Sequence, residues 1–140
     1  MRRAFLPLLG LLLLAVAGCQ KSSTDPTRIL DYTGTLTKAA GAVAGVLPMR
    51  STGNALATLV SFEQTNADGT IGAPTVGLDM GIGKVVAGCT VTGTFLFTTV
   101  NTSHVSLGLD KGDYCVLFTP TAELADGVSV TYHLQIEVRD

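Results

Sequence analysis

Near the C-terminus, apolar side chains occupy every second position: Val128, Val130, Tyr132, Leu134, Ile136 and Val138. Between them stand Ser129, Thr131, His133, Gln135, Glu137 and Arg139. A period of two puts one set on each side of an extended chain, so this segment reads as a long strand with one buried and one wet face. Val105, Leu107 and Leu109 alternate in the same way, as do Tyr114, Val116 and Phe118. Asp110-Lys111-Gly112-Asp113 lies between those two runs. Gly112 tolerates a positive φ, and the segment predicts a tight hairpin turn with a bulge. Further strands are expected over residues 32–38, 43–50, 55–64, 75–80, 85–92 and 94–100. Gly53-Asn54, Asp68-Gly69-Thr70, residues 81–83 and Asp126-Gly127 punctuate them. Residues 38–46 are Ala-rich but hold Gly41 and Gly45, which predicts loop or strand rather than helix. Eight or nine short strands at similar intervals, with no internal repeat, predict an all-β fold. The expected architecture is a single small antiparallel β-sandwich, jelly-roll-like.

The first residues follow a different rule. Arg2 and Arg3 precede an apolar run from Leu6 to Ala17, and the run ends in Val16-Ala17-Gly18-Cys19. Twelve residues, broken by Pro7 and Gly10, fall short of the roughly eighteen needed for a transmembrane helix. They fit the core of a secretory signal instead. Small residues followed at once by Cys resemble the bacterial lipobox. That resemblance implies a cleaved lipoprotein signal peptide over residues 1–18 and a diacylglyceryl group on Cys19. Residues 19–28 then form a lipidated N-terminus and polar tether, and residues 29–140 the β-sandwich domain. Each buried CH₂ contributes about 0.8 kcal/mol, so two or three acyl chains anchor firmly where one does not. Gln20, not Asp, follows Cys19. In a Gram-negative cell this resembles the default for outer-membrane sorting.

Export makes sense of the remaining cysteines. With Cys19 carrying lipid, Cys89 and Cys115 form an even pair in an oxidising compartment. They are expected to form a disulfide. Two buried thiols or half a metal site are the alternatives, and neither has a CxxC or a nearby His pattern behind it.

The full chain of 140 residues carries 9 basic and 11 acidic side chains. Without residues 1–18, which hold Arg2 and Arg3, the balance is 7 against 11, a net of −4. An acidic domain that is sparsely charged is not drawn to nucleic acid or to anionic lipid headgroups.

Three segments carry a further resemblance. They are Ile29-Leu30-Asp31-Tyr32-Thr33-Gly34-Thr35-Leu36, Gly53-Asn54-Ala55-Leu56-Ala57-Thr58-Leu59 and Val76-Gly77-Leu78-Asp79-Met80-Gly81. In order and spacing they resemble successive strands of bacterial pre-peptidase C-terminal domains. Leu109-Asp110-Lys111-Gly112-Asp113-Tyr114-Cys115-Val116 is similar to that family's Gly-x-Tyr strand, and residues 132–138 to its closing strand. The resemblance implies a non-catalytic sandwich of about a hundred residues that accompanies exported enzymes. No enzyme domain is expected among these 140 residues.

Candidate chemistry is sparse. Ser103-His104 is the obvious nucleophile–base pair, but neighbours on a strand point to opposite faces. His104 and His133 read as separate surface histidines, and the acids as scattered singly, with Asp110 and Asp113 the closest pair. There is no Gly-x-Ser-x-Gly elbow and no zinc spacing. Asn66-Ala67-Asp68-Gly69-Thr70 resembles a fragment of a calcium loop but lacks the remaining ligands, and a plain turn is the expectation. Asp31 alone is too few carboxylates for a calcium site. Tyr32, Tyr114 and Tyr132 either form an aromatic platform for sugars or pack the core, and their place in alternating strands favours the core. The expected protein has no catalytic residues, no metal and no cofactor, and no buried polar pocket. It is held to a membrane by lipid and binds a glycan or an envelope protein. An exported accessory or inhibitor of a hydrolase is the alternative.

Overall fold

The computed structural model describes residues 27–40, 42–85, 88–101 and 104–140, without side-chain placement for residues 43 and 104–106. The signal segment, Cys19, the tether up to Pro26 and Ser103 lie outside the described residues. Nine strands and no helix are formed among them: β1 (Thr27–Thr37), β2 (Val43–Met49), β3 (Gly53–Thr65), β4 (Ile71–Gly72), β5 (Leu78–Val85), β6 (Cys89–Phe97), β7 (His104–Leu109), β8 (Gly112–Pro120) and β9 (Ser129–Arg139). One sheet runs β1-β9-β3, with β4 and β7 both pairing the far edge of β3. The other runs β2-β8-β5-β6. All pairings are antiparallel. The two sheets pack face to face as a β-sandwich.

The alternation in β9 does what the sequence requires of it. Val130, Tyr132, Leu134, Ile136 and Val138 are all buried against the second sheet. In β3 the buried set switches from Ala55, Ala57 and Leu59 to Phe62 and Gln64. A bulge between Leu59 and Ser61 inserts one extra residue, which moves the inward face from odd to even numbers without breaking the strand. Phe118 on β8 joins the sheets at the centre. Its ring lies 4.8 Å from Tyr132 and 5.7 Å from Tyr32, both on the opposite sheet. Tilted pairs at these separations contribute about 0.5–1.5 kcal/mol each beyond their buried area. All three tyrosines therefore serve the packing: Tyr132 and Tyr114 are buried, and Tyr32 is half-buried against the same cluster.

Two sequence expectations are corrected. Asp110 to Asp113 is not a hairpin. β7 pairs β3 in one sheet, whereas β8 lies between β2 and β5 in the other, so the segment arches over the edge of the core. Each flanking strand has one apolar face. The arch sets those faces opposite each other across the core, with Leu107 on one side and Tyr114 on the other. The strands expected over 75–80, 85–92 and 94–100 are instead two, β5 and β6. Gly88 turns at φ 110° and Val85 pairs Cys89, which splits the middle segment between them. Thr75 is excluded from β5 because Gln64 Oε1 holds its backbone N–H and its hydroxyl, each at 3.0 Å. Residues 38–46, read as loop or strand, feed into β2.

The Cys89–Cys115 disulfide is present, with Cα atoms 5.6 Å apart. It joins β6 to β8, although β5 runs between them. Gly83 on β5 makes this possible. A Cβ there would sit 1.7 Å from the Thr90 carbonyl oxygen, so only a bare backbone lets the start of β6 lie so close. A bulge between Ile82 and Gly83 accompanies the approach.

Candidate functional site

The two outward faces differ in chemistry. On the four-stranded sheet Val46 and Leu96 are each more than half exposed, and Leu117 and Val91 are half-buried between them. On the five-stranded sheet the wet face is built from odd positions of β1 and β9 and from the outward residues of β3. The register sets Asp31 opposite Gln135, Thr33 opposite His133, and Thr35 opposite Thr131. Gln135 in turn pairs Thr58, His133 pairs Ser61, and Thr131 pairs Glu63. Hydroxyl, amide, imidazole and carboxylate groups are thereby spaced across three rigid strands.

A hydrogen-bonded cluster ties this face together. His133 Nε2 lies 2.6 Å from Asp31 Oδ1, and Gln135 Nε2 donates to the same oxygen at 2.9 Å. These two bonds, with the His133 bond the stronger cause, hold the Asp31 carboxyl below the usual carboxylate range. The Thr35 and Thr131 hydroxyls meet at 3.3 Å, and Arg139 Nε donates to Glu137 Oε1 at 2.7 Å. A shallow depression of about 230 Å³ lies at the end of the face, lined by Asn54, Leu56, Glu137 and Arg139. The alternation places His133 on the surface, and its pairing with Asp31 is what the sequence did not announce. His133 does lie on the wet face, but Asp31 reaches it across the β1–β9 ladder, 102 residues away. His104 begins β7, paired with Thr58, and its side chain is outside the described set.

This cluster has the parts of a base and its orienting acid but no activated nucleophile. Ser61 is the register partner of His133, and no hydrogen bond joins them. Asp31 occupies His133 Nε2, and the pair is open to water, with the two side chains 53% and 31% exposed. A charge relay works in a site that excludes water and holds donors for a developing oxyanion. An exposed sheet face supplies neither. It can present fixed donors and acceptors to a surface.

Other polar clusters are structural. Arg28 Nη2 contacts Asp140 Oδ2 at 2.6 Å and the Pro48 carbonyl oxygen at 2.9 Å, while Nε reaches Asp140 Oδ1 at 3.2 Å. The Arg50 backbone N–H donates to the same carboxylate. This knot pins β1 of one sheet to the end of β2 in the other. Arg28 donation is the main reason the Asp140 carboxyl sits below its ordinary range. Asn66 to Thr70 is a plain turn, as expected. Asp68 Oδ1 accepts from the Thr70 N–H at 2.9 Å and from its hydroxyl at 2.6 Å, and Gly69 takes φ 84°. At one end of the sandwich an open cleft of about 350 Å³ is lined by Thr37–Ala39 and Asp126–Ser129. Lys38 beside it is engaged by Glu123 at 3.4 Å and Asp126 at 3.2 Å.

No protein-family model matches the chain, and no curated protein is similar to it at a significant level. Solved structures are similar in fold. A periplasmic inhibitor of g-type lysozyme from Aeromonas hydrophila, PliG, aligns with TM-score 0.51 at 10% identity, over 81% of this chain and 88% of that one. The Yersinia pseudotuberculosis-derived mitogen aligns with TM-score 0.45 at 13% identity, over 80% and 85%. The CBM36-1 domain of a multidomain xylanase from the hindgut metagenome of Trinervitermes trinervoides aligns with TM-score 0.43 at 15% identity, over 79% and 95%. The likeness to the Aeromonas hydrophila inhibitor, at 10% identity, is one of fold alone.

Proposed function

We propose that the chain is a lipid-anchored cell-envelope module with a non-catalytic binding role, and that it binds through the polar face of its five-stranded sheet. The observation that carries this reading is the Asp31–His133–Gln135 cluster. Strands fix its side chains, yet the cluster stays open to solvent, and pre-ordered polar groups lower the cost of association. The anchor is Cys19, as the residues around it resemble a lipobox. The ligand is an exported protein. The tyrosines that would have made a sugar-stacking platform are spent on the core, and a broad flat face of mixed donors and acceptors suits a protein surface. An exported hydrolase that this module inhibits or accompanies is one such partner. The fold shared with the Aeromonas hydrophila inhibitor is compatible with that role. A glycan is the second reading, favoured by the depression at Asn54, Leu56, Glu137 and Arg139, where an apolar floor is rimmed by groups that pair with sugar hydroxyls.

Affinity capture from envelope extracts with the full lipidated chain tests the reading. One protein should be recovered stoichiometrically by the wild type and lost with His133→Ala and Gln135→Ala, both variants keeping the far-ultraviolet spectrum. A g-type lysozyme assay and a glycan array run beside it identify the class. Capture unchanged in both variants refutes the face assignment. Equal detergent partition of the wild type and Cys19→Ser refutes the anchor.

A further inference from the structure

The outermost strand of a sheet exposes a row of unpaired backbone donors and acceptors, and stable monomers blunt such edges with charge, proline or a covering group. The two edges of the four-stranded sheet are treated very differently. β2 is closed three times over. Tyr32 Oη donates to the Val46 carbonyl oxygen at 2.7 Å, Arg28 donates to that of Pro48, and Pro48 itself has no N–H to offer. The Tyr32 ring also lies directly over Gly45, where a Cβ would come within 2.9 Å of it.

β6, at the other edge, has none of these devices along its outer segment. It pairs β5 on one side and no described strand on the other. The sequence from Val85 to Leu109 contains no Asp, Glu, Lys or Arg over 25 residues, in a chain that is 14% charged overall. That stretch supplies β6 and β7, so the edge strands on this side of both sheets lack formal charge. The nearest charged residues in the register, Asp79 and Lys84, belong to β5, opposite Leu96 and Thr90. The bulge that brings the start of β6 over Gly83 ends before Gly93, and Gly93 to Phe97 continues in regular register. Along this run Thr94 is exposed, Leu96 is 55% exposed, and Phe95 is half-buried against the core.

We propose that the β6 edge, Gly93 to Phe97, pairs with the same edge of a second copy of this chain. The pairing is antiparallel about a two-fold axis through Phe95 and makes one continuous eight-stranded sheet. The occupant is argued from self-complementarity. A two-fold interface sets each residue against its mirror position, so a strand with any net charge meets its own sign. β6 meets none. A two-fold axis normal to the sheet keeps each face on its own side. Phe95 then faces its counterpart on the core side, Thr94 faces Leu96 on the outer side, and Gly93 lies opposite Phe97. The nearest atoms to a Cβ on Gly93 would be the Phe95 ring at 3.9 Å, so there is room beside it. Pairing also sets the outer faces of the two four-stranded sheets side by side, with Thr94 of the second copy beside Leu96.

Analytical ultracentrifugation of the full chain in detergent, and of its full-length Cys19→Ser variant without lipid, tests the proposal. Both should show a concentration-dependent monomer–dimer equilibrium. Thr94→Lys puts two like charges across the axis, and Thr94→Pro removes a ladder donor. Each should weaken dimerisation by about tenfold or more, and Thr35→Lys on the opposite sheet should not. Thr94 is exposed on an edge, so Thr94→Lys keeps the test alive if Thr94→Pro does not fold. Monomer at all concentrations overturns the proposal, including the case in which β6 accepts an unrelated extended segment. A dimer that survives both Thr94 substitutions overturns it as well. Neither result bears on capture through the His133 face.

Discussion

Replacing Arg28 by Ala should cost more than any other single surface-proximal charge deletion in this protein. Arg28 sits on β1, and its guanidinium, 16% exposed, donates to both oxygens of Asp140 and to the Pro48 carbonyl oxygen. The Asp140 side chain is only 2% exposed. Removing Arg28 therefore leaves a covered carboxylate with the Arg50 N–H as its remaining donor and frees the β2 carbonyl. The pair lies at the rim of the sandwich, where water partly screens it. The loss therefore falls between at most about 1 kcal/mol for an exposed pair and about 3–5 kcal/mol for a fully buried one, at about 2 kcal/mol. With a urea m-value of about 1.5 kcal/mol/M for a domain of this size, the midpoint should fall by about 1.3 M.

The pH dependence supplies an independent check. The folded Asp140 carboxyl titrates below its unfolded value, so its contribution is complete above the unfolded value near 4. It is lost as pH falls through the lower folded value. The gap between wild type and Arg28→Ala should accordingly be widest at neutral pH and shrink below pH 4. Equilibrium urea unfolding from pH 7 to pH 2 measures both quantities. A neutral-pH loss under about 1 kcal/mol, or a gap that does not narrow in acid, refutes the clamp.

Reduction of Cys89–Cys115, which are 26 residues apart in sequence, should lower stability by at most about 3.5 kcal/mol; unfolding with and without a phosphine reductant measures it, and no change means the bridge is not formed. Gly83→Ala should cost about 3 kcal/mol or more, because the new methyl meets Thr90 backbone and not a movable side chain. It should also raise the free-thiol titre, since the approach that aligns Cys89 with Cys115 is blocked. Burial raises the Tyr32 and Tyr132 hydroxyls to about 12. The folded value lies above the unfolded one, so their contribution holds below pH 10 and is lost as pH rises towards 12. Alkaline unfolding followed by circular dichroism should begin in that window and start later in Tyr32→Phe.

The unequal faces of the sandwich explain why binding is assigned to one sheet and self-pairing to the other. On β1 and β9 the outward positions are polar apart from Ile29, with Asp31, His133, Gln135, Glu137 and Arg139 among them, and hydrogen bonds already order several of these side chains. Such a face gains little from being covered unless a partner matches its pattern, which gives specificity. On the four-stranded sheet Asp79, Thr94 and Thr119 also face outward, but Val46, Leu117, Val91 and Leu96 form an apolar patch, and covering that patch is favourable whatever the partner's pattern. A copy of the same chain, aligned by backbone pairing at β6, is then a sufficient partner.

What the sequence made legible follows from what a period of two encodes. It reports which side chains share a face, and so β9, the core tyrosines and the sandwich architecture were readable from alternation alone. The Cys89–Cys115 pair was readable from parity, given the export that the first residues predict. The period carries no information about which strand lies alongside. The runs flanking Asp110 to Asp113 alternate as two strands of a hairpin would. Only the demand that both apolar faces be buried against different partners sends them to opposite sheets. The same silence hid the candidate site. Asp31 and His133 each stand at an ordinary polar position of an ordinary strand, and each is a plain surface residue when read singly. Their meeting depends on β1 adding to the outer edge of β9 in a register that aligns Thr33 with His133, a pairing between opposite ends of the chain. The Arg28–Asp140 knot, 112 residues apart, arises from the same ladder. A one-residue slip of β1 would turn Asp31 inward and dissolve the cluster. The register is held by Leu36 and Tyr32 entering the core on alternate positions, together with Arg28 reaching across to Pro48. The chemistry of the polar face is therefore a consequence of core packing on its reverse side.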